Sequence, residues 1–352
     1  MTVDSTLATL GWDEDDDKAF QAPEPGVEPA RALEVKRGFV RVRAAGGEWL
    51  APIPPALRRG SDAFPQPGPP ATGDWLAVEA EGPVRGILER RSILRRYDET
   101  AGDELLVANA DQAFVVSSLN QDLNLNRLER LLAIAHEGGV PVVLALSKCD
   151  LAEEPAAATR SLGQTLGIET FAFSSRTGAG LDELRRRLRP RETSVLLGSS
   201  GVGKSTLVNT LLGEERQRTL EIRGADEKGR HATTTRTLVE LPGGALLVDT
   251  PGLRSPRPSG LDGLPGTFPD IFALAAECRF ADCTHDSEPG CAVRAAVEDG
   301  ELDLRRLDSL RKLEREVEEA EARRAAASTG RRGRSVRERA ASRAYQRGDD
   351  ES

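Results

Sequence analysis

The stretch Ser194–Ser205, SVLLGSSGVGKS, decides the fold. It opens with an apolar run of strand length. It then matches G-x-x-x-x-G-K-[ST] through Gly198, Ser199, Ser200, Gly201, Val202, Gly203, Lys204 and Ser205. Glycines at these positions let backbone N–H groups turn inward around phosphates, and the helix expected over Lys204–Leu212 adds its positive N-terminal end. Lys204 is the candidate cation for the β and γ phosphates, the Ser205 hydroxyl is a candidate Mg2+ ligand, and Thr206 closes the nucleotide-binding run.

Working outward, apolar runs at Ala113–Leu119, Val142–Leu146, Thr170–Ser174, Thr237–Leu241 and Ala245–Asp249 alternate with helical periods such as Leu123–His136 and Ala156–Leu166. Strand–helix alternation predicts a parallel sheet covered on both faces. Asp249-Thr250-Pro251-Gly252 ends one of these strands and fits D-x-x-G, with Asp249 meeting Mg2+ through water and the Gly252 N–H facing the γ-phosphate. The loop GRHATTTR supplies Thr233, Thr234 and Thr235 as candidates for the remaining Mg2+ ligand, and the triplet alone does not choose among them.

Two elements read the base. Ser147-Lys148-Cys149-Asp150 follows the strand VVLAL and resembles N/T-K-x-D, with Ser147 in place of the usual Asn. A carboxylate at Asp150 accepts from guanine N1–H and the exocyclic amine, a donor pair adenine lacks, so the nucleotide is GTP or GDP. Ser174-Ser175-Arg176 ends the next strand and resembles the S-A-K element that meets guanine O6 through a backbone N–H. Both guanine elements precede the phosphate loop, the reverse of the ordinary order, so the domain reads as circularly permuted.

Cys278-x4-Cys283-x-His285-x5-Cys291 gathers three of the four cysteines and one of the three histidines. This is the ligand set of a closed tetrahedral Zn2+ site, structural because no position is left for water. Toward the N-terminus, short alternating segments from Val35 to Leu88 predict a small all-β barrel, with 60–73 as a Pro/Gly-rich loop across its mouth. Phe39 and Trp75 fall on the alternating positions and are read as core. Arg37, Arg41, Arg43, Arg58, Arg59, Arg90, Arg91, Arg95 and Arg96 form a candidate nucleic-acid surface.

The 352 residues carry a net charge of −9, which argues against a nucleic-acid partner until it is resolved by segment. Residues 1–30 carry −7, residues 31–97 carry +5, the last thirty residues carry +5 and the middle carries −12. Bases therefore collect on the barrel and the tail, where a polyanion would bind. The leader 1–30 and the tail 325–352 show no apolar period and are expected to be disordered. There is no run of about 18 apolar residues and no basic-then-apolar start, so the reading is of a soluble cytoplasmic chain without membrane contact.

Barrel, permuted motif order, GRHATTTR loop and Cys/His spacing together resemble the RsgA (YjeQ, EngC) family of circularly permuted GTPases over about residues 31–322. The resemblance implies a multidomain chain: an OB-fold at 31–97, the permuted P-loop GTPase domain at 98–256 and a zinc-binding helical domain at 257–324. It further implies GTP hydrolysis stimulated by the small ribosomal subunit during its late maturation, contact with its rRNA, and a monomer. The family usually has Thr where Ala232 stands. Leu253 stands where many GTPases place a water-orienting Gln, which leaves His231 of the switch loop as candidate catalytic group. The competing class is a GTP-gated RNA-binding module in which hydrolysis is incidental.

Overall fold

A computed structural model of the chain describes residues 4–20, 22, 25–58, 68–100, 102–120, 123–213, 235–253 and 256–348. The phosphate-loop strand β11 (Thr193–Gly198) lies at the centre of the main sheet. On one side follow β8 (Gln112–Ser118), β9 (Val142–Ser147) and β10 (Thr170–Ala172), all parallel; on the other lies β13 (Leu246–Asp249), also parallel. The wholly parallel expectation fails at β12 (Thr237–Glu240), which is antiparallel to β13. Only 241–245 separate the two strands, far too few for a crossover, so they form a hairpin.

Helices cover both faces. Leu128, Leu131 and Leu132 of α4 (Leu125–Glu137) and Leu162 and Leu166 of α5 (Pro155–Leu166) pack on one face. Leu181 and Leu184 of α6 (Leu181–Arg187) and Leu207, Val208 and Leu212 of α7 (Lys204–Leu212) pack on the other.

The N-terminal unit is antiparallel. The ten-residue β1 (Val27–Lys36) pairs with β2 (Phe39–Ala44) and β4 (Trp75–Glu79), β2 with β3 (Gly47–Pro52), and β4 with β5 (Val84–Ile87). Ala30, Val40, Val42, Leu76, Val78, Val84 and Ile87 form its interior. A single pair, Glu34 with Thr237, joins β1 to β12 and makes the two sheets continuous. Strands β6 (Ile93–Asp98) and β7 (Gly102–Ala108) make a separate hairpin before β8. Trp75 is buried as expected, but Phe39 is 46% exposed because it lies on the outer face of the β2–β3 ladder beside Arg41. The loop expected at 60–73 lies mostly outside the described residues; 68–73 contain no helix or strand.

The leader is not the disordered segment its composition suggests. Helices α1 (Ser5–Thr9) and α2 (Glu14–Ala19) flank a fully buried Trp12, whose ring meets Trp75 edge-on at 4.7 Å and Phe20 at 6.0 Å. The acidic run serves local structure: Asp13 caps α2 and exchanges hydrogen bonds with Asp16 in a capping box, and acidic residues fill the first turn. Between the helices Gly11 has φ +89°, and a Cβ there would lie 2.8 Å from the Arg191 carbonyl oxygen, so only glycine makes this turn.

The C-terminal module contains α8 (Leu264–Thr267), α9 (Pro269–Ala275), α10 (Ala292–Glu298) and α11 (Leu304–Gly348). Leu264, Phe268, Ile271, Val293, Leu307 and Leu310 form its core, shared with Ala133 of α4. Helix α11 runs well past Arg324, so the expected disorder from 325 is also corrected; Ala and Arg, which dominate this stretch, favour helix without an apolar stripe. Among the described residues no helix is long and apolar enough to cross a membrane.

Candidate nucleotide and metal sites

The phosphate loop joins β11 to α7 with Gly201 and Gly203 at positive φ, which aims the first N–H groups of α7 into the turn. Lys204 is buried and its Nζ donates to the carbonyls of Gly198 (2.8 Å) and Ser199 (3.0 Å). Burial pushes its pKa down to about 8, and the charge of Asp249 opposes this. The Ser205 hydroxyl donates to Asp249 Oδ2 at 2.9 Å, about the spacing of adjacent oxygens around an octahedral Mg2+ with bonds of about 2.0–2.1 Å. These two residues thus fit the ion, which would supply charge neutralisation across the phosphates. A Cβ on Gly252 would lie 2.4 Å from Ser200 Cα, so the D-x-x-G turn rests directly on the phosphate loop. Thr250, which the sequence reading passed over, donates to the Leu196 carbonyl and fixes that turn; it lay inside the quoted motif as its second residue.

The guanine elements converge on the same loop. The Ser147 hydroxyl lies 2.6 Å from the Val202 carbonyl and 3.2 Å from that of Ser117, so the residue in place of Asn ties β9 to the phosphate loop. Lys148 adopts a left-handed backbone (φ 59°) and its Nζ donates to the Gly201 carbonyl at 2.9 Å, laying its stem along the base side of the site. Cys149 is buried, and its N–H donates to the Phe173 carbonyl, which brings β10 alongside. Asp150 receives Arg176 Nε at 3.0 Å and Nη2 at 2.6 Å on the same oxygen, Oδ2. Hydrogen bonds from the Ser174 hydroxyl and from Arg176 hold the carboxyl below its ordinary pKa. Ser174 Oγ also accepts from the Arg176 and Thr177 N–H groups, which shapes the turn through Ser175. Permutation therefore leaves Ser147–Asp150, Ser174–Arg176, Gly198–Thr206 and Asp249–Gly252 around one site. His231, Thr233 and Thr234 lie outside the described residues. Beside the phosphate loop a cavity of about 420 Å³ opens between Ser199–Val202 and the first turns of α4, lined by Asn124 and Arg127.

In the C-terminal module the ligand atoms of Cys278, Cys283, His285 and Cys291 all lie within 4.8 Å of one another. Cys278 Sγ is 3.9 Å from Cys291 Sγ, and His285 Nδ1 is 3.6 Å and 3.5 Å from these two sulfurs. Bonds of about 2.3 Å to sulfur and 2.0–2.1 Å to nitrogen in a tetrahedron require separations of about 3.8 and 3.6 Å, so the set fits Zn2+. Burial raises the Cys278 thiol, but the N–H groups of Val293 and Ala292 at the start of α10 and hydrogen bonds from Cys283 and Cys291 outweigh it, while burial and the neighbouring thiols push Cys283 up to about 11. His285 reaches the cluster with a left-handed backbone, φ 60°.

The basic surface of the N-terminal β unit is more committed than its sequence implies. Arg90 is buried on Asp74; Arg41 and Arg43 share Glu48; Arg91 meets Asp13, Arg95 meets Glu137 and Arg96 meets Glu104. Trp75 and Tyr97 are buried, and Trp49 donates to the Gly82 carbonyl, leaving Phe39 and Leu50 as the exposed large apolar groups among the described residues of this unit. The side chains of Arg58 and Arg59 lie outside the described residues.

A family model described as RsgA GTPase matches residues 87–258. A Streptomyces avermitilis protein named small ribosomal subunit biogenesis GTPase RsgA is 46% identical, over 88% of this chain and 85% of its own length. A protein of the same name from Syntrophotalea carbinolica is 40% identical, over 89% of this chain and 90% of its own. Among solved structures, YjeQ from Thermotoga maritima is similar with a TM-score of 0.60 at 24% identity, over 83% of this chain and 98% of that one. YloQ, described as a circularly permuted GTPase, gives 0.58 at 24%, over 86% and 98%. The structural likeness agrees with the permuted strand order, and the sequence identity extends over nearly the whole length. On these grounds the chain belongs to the RsgA family of GTPases.

Proposed function

We propose that the chain is a cytoplasmic GTP phosphohydrolase that binds the small ribosomal subunit, assists its late maturation and turns over GTP faster when bound to it. One observation carries the reading: the phosphate loop and a guanine-reading carboxylate, 48 positions apart in inverted order at Gly198 and Asp150, are tied together by Ser147 to Val202 and Lys148 to Gly201 in a chain whose relatives bear that name. Lys204 and the loop N–H groups hold the phosphates, Ser205 and Asp249 hold Mg2+ with a threonine of Thr233 and Thr234, and the Gly252 N–H faces the γ-phosphate. His231 orients the attacking water when the subunit is bound, a task Leu253 cannot perform. Cys278, Cys283, His285 and Cys291 hold one structural Zn2+, which fastens a module of few apolar residues. Strands β1–β5 act as an OB-fold that presents Arg37, Phe39 and Leu50 to rRNA, and the protein works as a monomer.

The test is GTP turnover of the full chain with and without purified small subunits. Stimulation is expected, by at least tenfold, as electrostatic completion of such a site contributes about a hundredfold or more, and His231→Ala should lose most of it while still binding GTP. Unchanged turnover with subunits would sink the enzyme reading and leave a GTP-gated RNA-binding module. Full stimulation of His231→Ala would remove that residue alone.

A further inference from the structure

Asp150 is the acceptor on which guanine recognition depends, and Arg176 holds it. The two arginine nitrogens, Nε and Nη2, converge on Asp150 Oδ2 at 3.0 and 2.6 Å. Chemically this donor edge is the one guanine offers: N1–H and the exocyclic amine of the base are two nitrogens on one carbon, as Nε–H and Nη2–H are in a guanidinium. The base and the arginine therefore ask the same carboxylate for the same bonds.

The surroundings let the arginine leave easily. Its side chain is 72% exposed while that of Asp150 is 12% exposed, so the acceptor is fixed and the donor is loose. The Arg176 backbone is pinned by its N–H to Ser174 Oγ at 3.2 Å, so only the side chain has to swing. Lys148, the other cation of this element, is anchored on the Gly201 carbonyl.

We infer that Arg176 is a tethered guanine mimic, which competes with the bound base for Asp150 and hastens release of guanine nucleotides. When the base lifts, the guanidinium recaptures the carboxylate before the base can return, and GDP leaves without an exchange partner. This regulation of the nucleotide site rests on the guanine-binding reading above. An exposed ion pair with two-pronged geometry sets its size, roughly a two- to fivefold effect on affinity.

The experiment is stopped-flow release of fluorescent GDP and GTP analogues from wild type, Arg176→Ala and Arg176→Lys, at low and high KCl. Arg176→Ala is expected to release both nucleotides two- to fivefold more slowly, by the same factor for GDP and GTP because the base is common to both. Lysine, a point charge without the fork, should fall between. High salt weakens the pair, so wild-type release should slow towards that of Arg176→Ala and the difference between the two should shrink. Unchanged or faster release from Arg176→Ala overturns the inference, as does a factor that grows with phosphate number, which would mark long-range attraction instead. Wild type binding adenine and guanine nucleotides equally well would defeat the guanine reading itself, a different result.

Discussion

Trp12 and Glu129 are both fully buried, one where the leader and the N-terminal β unit meet the GTPase domain and the other where the C-terminal module meets it. At the first seam the core contacts are of shape, with hydrogen bonds at its margin where Arg191 donates to the Ala8 and Trp12 carbonyls at 2.9 and 3.1 Å. Trp12, Leu7 and Leu10 enter the same core as Leu33, Trp75 and Leu246, and Trp75 lies between Trp12 and the guanidinium of Arg31, 4.8 Å from its ring. At the second seam the contacts are directional. Glu129 on α4 accepts from Arg305 at 3.1 Å, Arg306 at 3.3 Å and the Ser309 hydroxyl at 2.5 Å, all on α11. Arg306 in turn forks onto Asp270 at 2.6 and 2.8 Å and lies over the Phe268 ring. Apolar contact tolerates any group of similar volume, whereas a buried charge network tolerates only its own donors and acceptors. The seam that needs direction also rests on a helix that borders the phosphate loop, through the first turns of α4.

The comparison is most exposed at Trp12. Truncation to alanine should cost about 3–5 kcal/mol, as large aromatic deletions from cores do, while Trp12→Phe should recover most of it. Denaturant unfolding of both variants measures this, and wild-type stability in Trp12→Ala would show that the leader lies outside the cooperative fold. Glu129→Gln is the matching change at the other seam, nearly isosteric yet uncharged. It should cost about 1.5–3 kcal/mol, because Arg305 and Arg306 lose a charged acceptor in a buried place. If Gln were tolerated as well as Phe is at position 12, the contrast between shape and direction would collapse.

How far each seam could be read from sequence follows from the same contrast. The phosphate loop and the Cys/His set were legible because their ligands are near neighbours along the chain, so spacing alone carries the geometry. Asp150 was legible with its motif, but its pairing with Arg176 joins residues 26 positions apart and needs β9 beside β10 to exist. The leader was misread because Leu7, Leu10 and Trp12 fall across a helix end and a left-handed Gly11, which destroys any single period, while five consecutive acids dominate the composition. Phe39 was misread for the opposite reason: its alternation is real, but it belongs to the outward face. Arg90 shows the same limit for charge, since a count of arginines cannot reveal that one is buried against Asp74.

The smallest effect tests what charge contributes to the leader. Arg91 Nη1 lies 3.5 Å from Asp13 Oδ2, with both side chains nearly half exposed, an ion pair between the cap of α2 and the end of the N-terminal β unit. Arg91→Ala should cost no more than about 0.2–1 kcal/mol, and less in 0.5 M salt, because water and ions screen such a pair. Asp13 has another role that survives the change: its Oδ1 accepts from the Asp15 and Asp16 N–H groups and keeps α2 capped. The contrast with Trp12→Ala is therefore the informative quantity, read in the same denaturant series at two salt concentrations. A loss at Arg91 equal to that at Trp12, vanishing with salt, would mean that the acidic leader is drawn in by charge and that its buried tryptophan follows. A small loss at Arg91 beside a large, salt-independent one at Trp12 would place the leader's hold in the apolar socket, with the acids confined to shaping the two short helices that deliver it.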